Sequence, residues 1–215
     1  MTNQGKLIVF EGIDGAGTTT QIEHYARHLR SQRRLVHVTR EPSTGPIGSL
    51  LRLALSGRFA IGSSNQAQAM ALLFAADRLD HIAHEIEPYL REGAVVLSDR
   101  YDLSSLAYQT ATARADSVGG ADMEAWVRSL NRFARRPDAT VVLDVPAEVA
   151  EQRRKSRSGA PDIYEVNDLQ VRLAALYLEA ERLVPGDRIL HIDANRDLPT
   201  VSEAVRAALD PIALS

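Results

Sequence analysis

The chain has no cysteine, which excludes disulfides, thiolate zinc sites and thiol nucleophiles. It has no basic excess: 25 Lys and Arg face 28 Asp and Glu, for a formal net charge of −3. A protein that lives on a duplex usually carries a basic stripe, so nucleic acid is not the expected partner. A small anionic substrate needs only a few local cations, and a mildly acidic chain can supply them. No apolar run approaches the roughly 18 residues that span a bilayer, so no membrane partner is expected. Met1 to Lys6 is polar and carries no secretory pattern. The expected location is the cytoplasm.

What remains is an ordinary globular composition, 45% hydrophobic and 25% charged over 215 residues. That length suits one domain, residues 1–215. Strand-like and helix-like patterns alternate along it. Lys6–Phe10, Leu35–Thr39, Ala94–Leu97, Thr140–Leu143 and Arg188–Ile192 read as short strands. Several are continuous apolar runs, the mark of a parallel sheet covered on both faces. Between them lie helical stripes such as Ile22, Tyr25, Ala26 and Leu29. Residues from about Asn65 to Arg91 read as one long helix. The expected fold class is α/β: three layers, with a five-stranded parallel sheet flanked by helices.

The first strand runs into Glu11-Gly12-Ile13-Asp14-Gly15-Ala16-Gly17-Thr18-Thr19-Thr20. Glycines let a backbone turn tightly and bring its N–H groups close to an anion, and a helix N-terminus adds more free N–H groups. Gly12 and Gly17 have the spacing of the nucleotide P-loop, G-x-x-x-x-G-K-[S/T]. Gly12, Gly15, Ala16, Gly17, Thr18, Thr19 and Thr20 are thus candidate contacts to ATP phosphates. The motif is broken at one point: Thr18 stands where the lysine belongs. Thr19, the position that ligates Mg²⁺, is intact. A glycine-rich strand-to-helix turn with no ligand remains an alternative for the loop alone.

The third strand ends in Ser98-Asp99-Arg100-Tyr101. A carboxylate at the carboxyl end of a buried parallel strand sits on the ligand edge of such sheets. Asp99 is a second candidate for the Mg²⁺ site. Arg100 beside it can set a guanidinium between donor and acceptor phosphates. The bland alternative is an Asp–Arg pair that caps a strand end.

Four blocks together resemble the thymidylate kinase family: Phe10 to Gly17, Thr39-Arg40-Glu41-Pro42, Leu73-Phe74-Ala75-Ala76-Asp77-Arg78, and Asp99 to Gln109. Asp162-Ile163-Tyr164-Glu165 and His191-Ile192-Asp193-Ala194 are weaker echoes. The resemblance implies transfer of the ATP γ-phosphoryl group to dTMP, with Mg²⁺, by a homodimer. It implies that Phe74 stacks on thymine and that Arg78 bonds its carbonyl edge. Arg40 would meet the acceptor phosphate, beside Pro42, whose preceding bond the family holds cis. Asp14 would face the sugar 3′-hydroxyl. Tyr108 would lie under the sugar and exclude a 2′-hydroxyl, with Ser105 and Gln109 as neighbours.

Gln152-Arg153-Arg154-Lys155-Ser156-Arg157-Ser158-Gly159 is strongly basic. Generically it reads as a solvated helix end whose charges complement the dipole. The resemblance makes residues 152–163 a lid over ATP. Phosphoryl transfer is mostly positioning and charge stabilisation, so a cation can come from elsewhere in the chain. Arg153 and Arg157, with Arg100 and Mg²⁺, are expected to cover the charge Thr18 lacks, and with Asp14 on the acceptor side these three arginines form the expected catalytic set. Two other readings stay open: a kinase for a different monophosphate, and a nucleotide-binding protein without catalysis.

Overall fold

The computed structural model describes residues 5–59, 65–115, 120–155 and 167–215. Arg157 and the Asp162–Glu165 block lie outside the described residues. Five strands form one parallel sheet: β1 Lys6–Glu11, β2 Val36–Arg40, β3 Val95–Asp99, β4 Ala139–Asp144 and β5 Ile189–Asp193, in the order β2-β3-β1-β4-β5. β1 is central, with Phe10 opposite Asp99 on one side and Val141 on the other. Its residues Leu7, Ile8, Val9 and Phe10 are all fully buried. A strand alternates its side chains, so both faces must be covered. Leu7 and Val9 join Ile86, Leu90 and Val96 in one cluster. Ile8 and Phe10 join Ile22, Tyr25 and Leu29 in the main core. Each such side chain contributes about 1.5–3 kcal/mol by leaving water.

Among the described residues nine α-helices lie between the strands, α1 Thr18–Ser31, α2 Pro46–Leu55, α3 Gln66–His81, α4 Glu87–Arg91, α5 Asp102–Ala115, α6 Gly120–Leu130, α7 Ala147–Lys155, α8 Asn167–Tyr177 and α9 Ala180–Leu183, and α10 Leu198–Ala213 follows β5. α1 and α10 pack together on one face of the sheet. Leu7 and Val9 on the other face of β1 meet Ile86 and Leu90; α8 contacts β4, and α5 packs on α8, α3 and α6. This is the expected three-layer architecture.

The sequence pattern predicts a single helix over residues 65–91, and the chain is helical without a break from Gln66 to Arg91, with one departure from α geometry. α3 passes into a π-helical turn, Ile82–Ile86, before α4. Pro88 lies in the first turn of α4. Its ring has no N–H and would collide with the carbonyl four residues back, so the backbone widens there. The Glu41–Pro42 bond is cis, as the resemblance implied. Among the described residues no helix is long and apolar enough to cross a membrane.

Candidate active site

Every parallel strand delivers its last residue to the same edge of the sheet. β1 delivers the glycine loop there, β3 delivers Asp99 and Arg100, and β2 delivers Arg40, paired in register with Asp99. Two neighbouring cavities along this edge hold most of the predicted site. One, of about 290 Å³, is lined by the loop residues Ile13, Asp14, Gly15, Gly17 and Thr18 to Thr20, and by Asp99, Arg100 and Arg153. The other, of about 170 Å³, is lined by Pro42, Phe74, Arg78, Ser105, Tyr108 and Gln109, with Glu41, Leu55, Tyr101 and Ser104. Asp14 and Arg100 line both.

The loop needs its glycines for two different reasons. Gly17 takes φ +100° as the N-cap of α1, a left-handed conformation that costs an L side chain about 1–2 kcal/mol. Gly15 takes φ +94°, and a Cβ there would meet the Ala150 carbonyl oxygen at 2.4 Å. The α7 backbone therefore occupies the space that a side chain at position 15 would need. This close approach brings the basic end of α7 over the loop. Arg153 Nη1 donates to the Ala16 carbonyl at 3.5 Å and its Nη2 to the Ala194 carbonyl at 3.0 Å. Arg154 Nη1 donates to the Asp14 carbonyl. Arg100 Nη1 donates to the Gly12 carbonyl at 3.3 Å. Three guanidinium groups thus dock on alternate carbonyls of a loop that carries no lysine.

Arg100 is fixed from several sides. Its Nη2 lies 2.5 Å from Asp14 Oδ1, its Nη1 reaches Ser104 Oγ at 3.1 Å, and its Cζ stands 5.2 Å from the centre of the Tyr108 ring. Asp14 Oδ2 accepts from Tyr108 Oη and from Gln170 Nε2, each at 3.0 Å. Thr19 Oγ1 donates to Asp99 Oδ2 at 2.6 Å. A hydroxyl and a carboxylate at the floor of an anion cavity are hard oxygen donors. Mg²⁺ commonly takes one or two such protein ligands and completes its octahedron with water and phosphate, so these two residues fit that ion. Among the described residues no cluster of three or more His, Cys, Asp or Glu could hold a metal by itself.

Comparison with known proteins decides what this edge belongs to. A family profile described as thymidylate kinase matches residues 10–205. The chain is 38% identical over 210 residues to the "Probable thymidylate kinase" of Thermococcus kodakarensis, covering 96% of this chain and 98% of that protein. It is 39% identical over 214 residues to the "Thymidylate kinase" of Nitrobacter hamburgensis, covering 96% and 88%. A third relative, from Pyrobaculum aerophilum, is 40% identical over 173 residues, covering 80% and 81%. The chain belongs to the thymidylate kinase family.

For a thymidylate kinase family member, the structure brings most of the predicted site together. Phe74, Arg78, Ser105, Tyr108, Gln109 and Pro42 share one cavity, and Thr18, Thr19, Thr20, Asp99 and Arg153 share the other. Gly12 and Ala16 line neither cavity and act through their carbonyls. Arg40 also lines neither; it is exposed at the end of β2, beside Asp99. Four residues behind the site had no role assigned from the sequence: Glu11 and Ser104, inside the matched blocks, and Gln170 and Tyr177, outside them. Glu11 is fully buried and accepts from Tyr101 N at 2.8 Å, Ser104 N at 3.1 Å and Tyr177 Oη at 3.1 Å. Its carboxylate thereby ties β1 to the start of α5, just past Arg100. A charged residue closing an apolar strand was the one available signal.

Burial pushes the Glu11 carboxyl up from its ordinary 4.5 to about 7, against the opposing pull of Arg100 and of hydrogen bonds from Ser104 and Tyr101. The folded chain therefore holds this proton more tightly than the unfolded chain, and ionisation costs stability as pH rises from 4.5 through 7. Glutamine keeps an acceptor for the two N–H groups and has no charge to desolvate. Between pH 4.5 and pH 8, urea unfolding should show Glu11→Gln gaining about 2–3 kcal/mol relative to the parent chain. A difference that stays constant with pH would remove this assignment.

Proposed function

We propose that this chain is a dTMP kinase that transfers the γ-phosphoryl group of ATP to dTMP, giving ADP and dTDP. One observation carries the reading: the loop cavity and the aromatic cavity meet at Asp14 and Arg100, so two anions held in them lie end to end. Amides of Gly15 to Thr20 take the ATP phosphates at the helix N-terminus. Phe74 stacks on thymine, Arg78 reads its carbonyl edge, and Tyr108 with Asp14 holds the deoxyribose. An acceptor phosphate oxygen bonds to the γ-phosphorus as the bond to the β–γ bridging oxygen breaks. Arg100 stabilises charge at that junction, and Arg40 takes the distal acceptor oxygens. Thr19 and Asp99 would hold Mg²⁺, which when bound neutralises charge on the β- and γ-phosphate oxygens. Arg153, and Arg157 beyond the described residues, supply the cation that Thr18 cannot.

The same reading has the enzyme working in the cytoplasm as a homodimer. Leu50 and Leu53 of α2 and Leu72 and Leu79 of α3 expose apolar side chains that suit a self-complementary face. The missing lysine favours a second reading, a nucleotide binder without turnover. A coupled ADP-release assay with ATP, Mg²⁺ and dTMP, dUMP, dCMP or dGMP separates them. The expected result is turnover with dTMP at a kcat/KM about a hundredfold or more above dCMP and dGMP, because a site built to pair with one edge leaves its polar groups unpaired against another. ADP release with dTMP no faster than with ATP alone would remove the enzyme reading.

A further inference from the structure

Arg78 is among the largest fully buried side chains of the described residues, 1% exposed, yet it lines the aromatic cavity. A guanidinium has five N–H donors in a rigid fork. Nη2 uses both of its own, on Glu41 Oε2 at 2.6 Å and Ser105 Oγ at 3.0 Å. Nη1 uses one on Asn131 Oδ1. The Tyr101 ring lies against the group, 5.2 Å from Cζ to its centre. That leaves one Nη1 hydrogen and the Nε hydrogen, and Nε is buried with no partner among the described residues. Nε–H lies on the Nη2 edge of the fork and is shielded from the cavity, so the Nη1 hydrogen is the donor left for an occupant.

The two acceptors that grip Arg78 are themselves held. The second Glu41 oxygen lies 3.5 Å from His81 Nδ1, and His81 Nε2 lies 2.7 Å from Thr39 Oγ1. The Asn131 amide is oriented because Nδ2 donates to the Val127 carbonyl at 2.8 Å, which turns Oδ1 toward Arg78. Asn131 and Glu41 arrive from opposite ends of the fold, one after α6 and one after β2. Neither was a predicted contact to substrate, and their shared partner is the arginine that reads the base.

We infer that Glu41 and Asn131 are positioning residues that set nucleobase specificity, by clamping Arg78 so that its uncommitted Nη1 hydrogen meets a carbonyl on the base. This rests on the reading of Arg78 as the base contact. A thymine presents a carbonyl to that donor. Cytosine presents an amino group at the same place, donor against donor, and only a fixed guanidinium enforces that conflict. A guanidinium free to turn away discriminates less.

The test is steady-state kinetics with dTMP and dCMP on Glu41→Leu, Asn131→Leu, Asn131→Asp and Arg78→Lys, each checked for a folded melting transition. In Glu41→Leu and Asn131→Leu, KM for dTMP should rise about tenfold with kcat within about threefold, and the dTMP to dCMP preference should fall about tenfold. Asn131→Asp keeps an acceptor oxygen and should stay within about threefold of the parent chain. A purely structural role would lower activity on both nucleotides alike and leave the preference unmoved. If the preference is unchanged in both clamp variants but lost in Arg78→Lys, the clamp is wrong and the base reading stands. If Arg78→Lys also leaves preference and KM unmoved, the base reading falls and takes the clamp with it. Should one clamp variant fail to fold, the other decides by the same ratio.

Discussion

Replacing Arg100 with alanine should lower kcat for dTMP phosphorylation about a thousandfold, and the KM values for ATP and dTMP far less. A guanidinium placed where charge spreads in transfer is worth about 10³–10⁵ in rate in comparable sites, and one preorganised donor about 10²–10³. Among the described residues Arg100 is the one cation lining both cavities, and its contacts to Asp14, Gly12, Ser104 and Tyr108 hold it there before substrate arrives. Arg100→Lys should recover little, because an ammonium cannot fork between two phosphates. Stability can be separated from charge. Arg100 sits at φ +74°, a conformation glycine adopts without the Cβ penalty. Arg100→Gly should therefore melt above Arg100→Ala, by about 1 kcal/mol in unfolding free energy, and be equally slow. An Arg100→Ala enzyme within tenfold of the parent kcat would show that the shared cation is not the catalytic one.

The five strands were legible because each is a short stretch rich in Val, Ile and Leu, several of them unbroken apolar runs, that no helix period explains. Their ends were not. The runs stop at Phe10, Thr39, Leu97, Leu143 and Ile192, whereas the ladder continues onto Glu11, Arg40, Asp99, Asp144 and Asp193. Hydropathy follows side chains, and strand pairing follows backbone hydrogen bonds, which persist through polar residues at the ligand edge. The predicted contacts were legible for a related reason: Phe74, Arg78, Ser105, Tyr108 and Gln109 sit in two motifs at helical spacing, and α3 and α5 carry them to one cavity. Glu11, Asn131, Gln170 and Tyr177 were opaque. Each is buried and polar, with its partner far away in the chain: Glu11 and Tyr177 meet across 166 positions, and Asn131 and Arg78 across 53. Periodicity assigns such residues a buried face but cannot say which polar atom they meet. Arg154 was hidden differently. One residue from Arg153 in a basic run, it was distinguishable only once the loop carbonyls were in place.

Arg153→Ala should lower kcat about tenfold to a hundredfold and raise KM for ATP by less than about threefold. One charge-assisted hydrogen bond to a transferring phosphate is worth about 1.5–3 kcal/mol, which sets that range. Thr18 can offer a hydroxyl but no charge, and position 15 is closed to any side chain by the Ala150 carbonyl. The cation must therefore come from outside the loop, and α7, whose approach closes position 15, carries Arg153 into the cavity that Thr18 lines. Arg154 grips the Asp14 carbonyl without lining that cavity, so Arg154→Ala should cost less in kcat. The decisive variant is the double one. If Arg153 stands in for the lysine, Thr18→Lys in the Arg153→Ala chain should regain about tenfold in kcat, because a lysine in its ordinary P-loop place reaches the same β- and γ-phosphates. Single-turnover measurements separate this from a change in product release. A parent-like kcat in Arg153→Ala, or no recovery on adding Lys at position 18, would break the link between the loop's missing charge and α7.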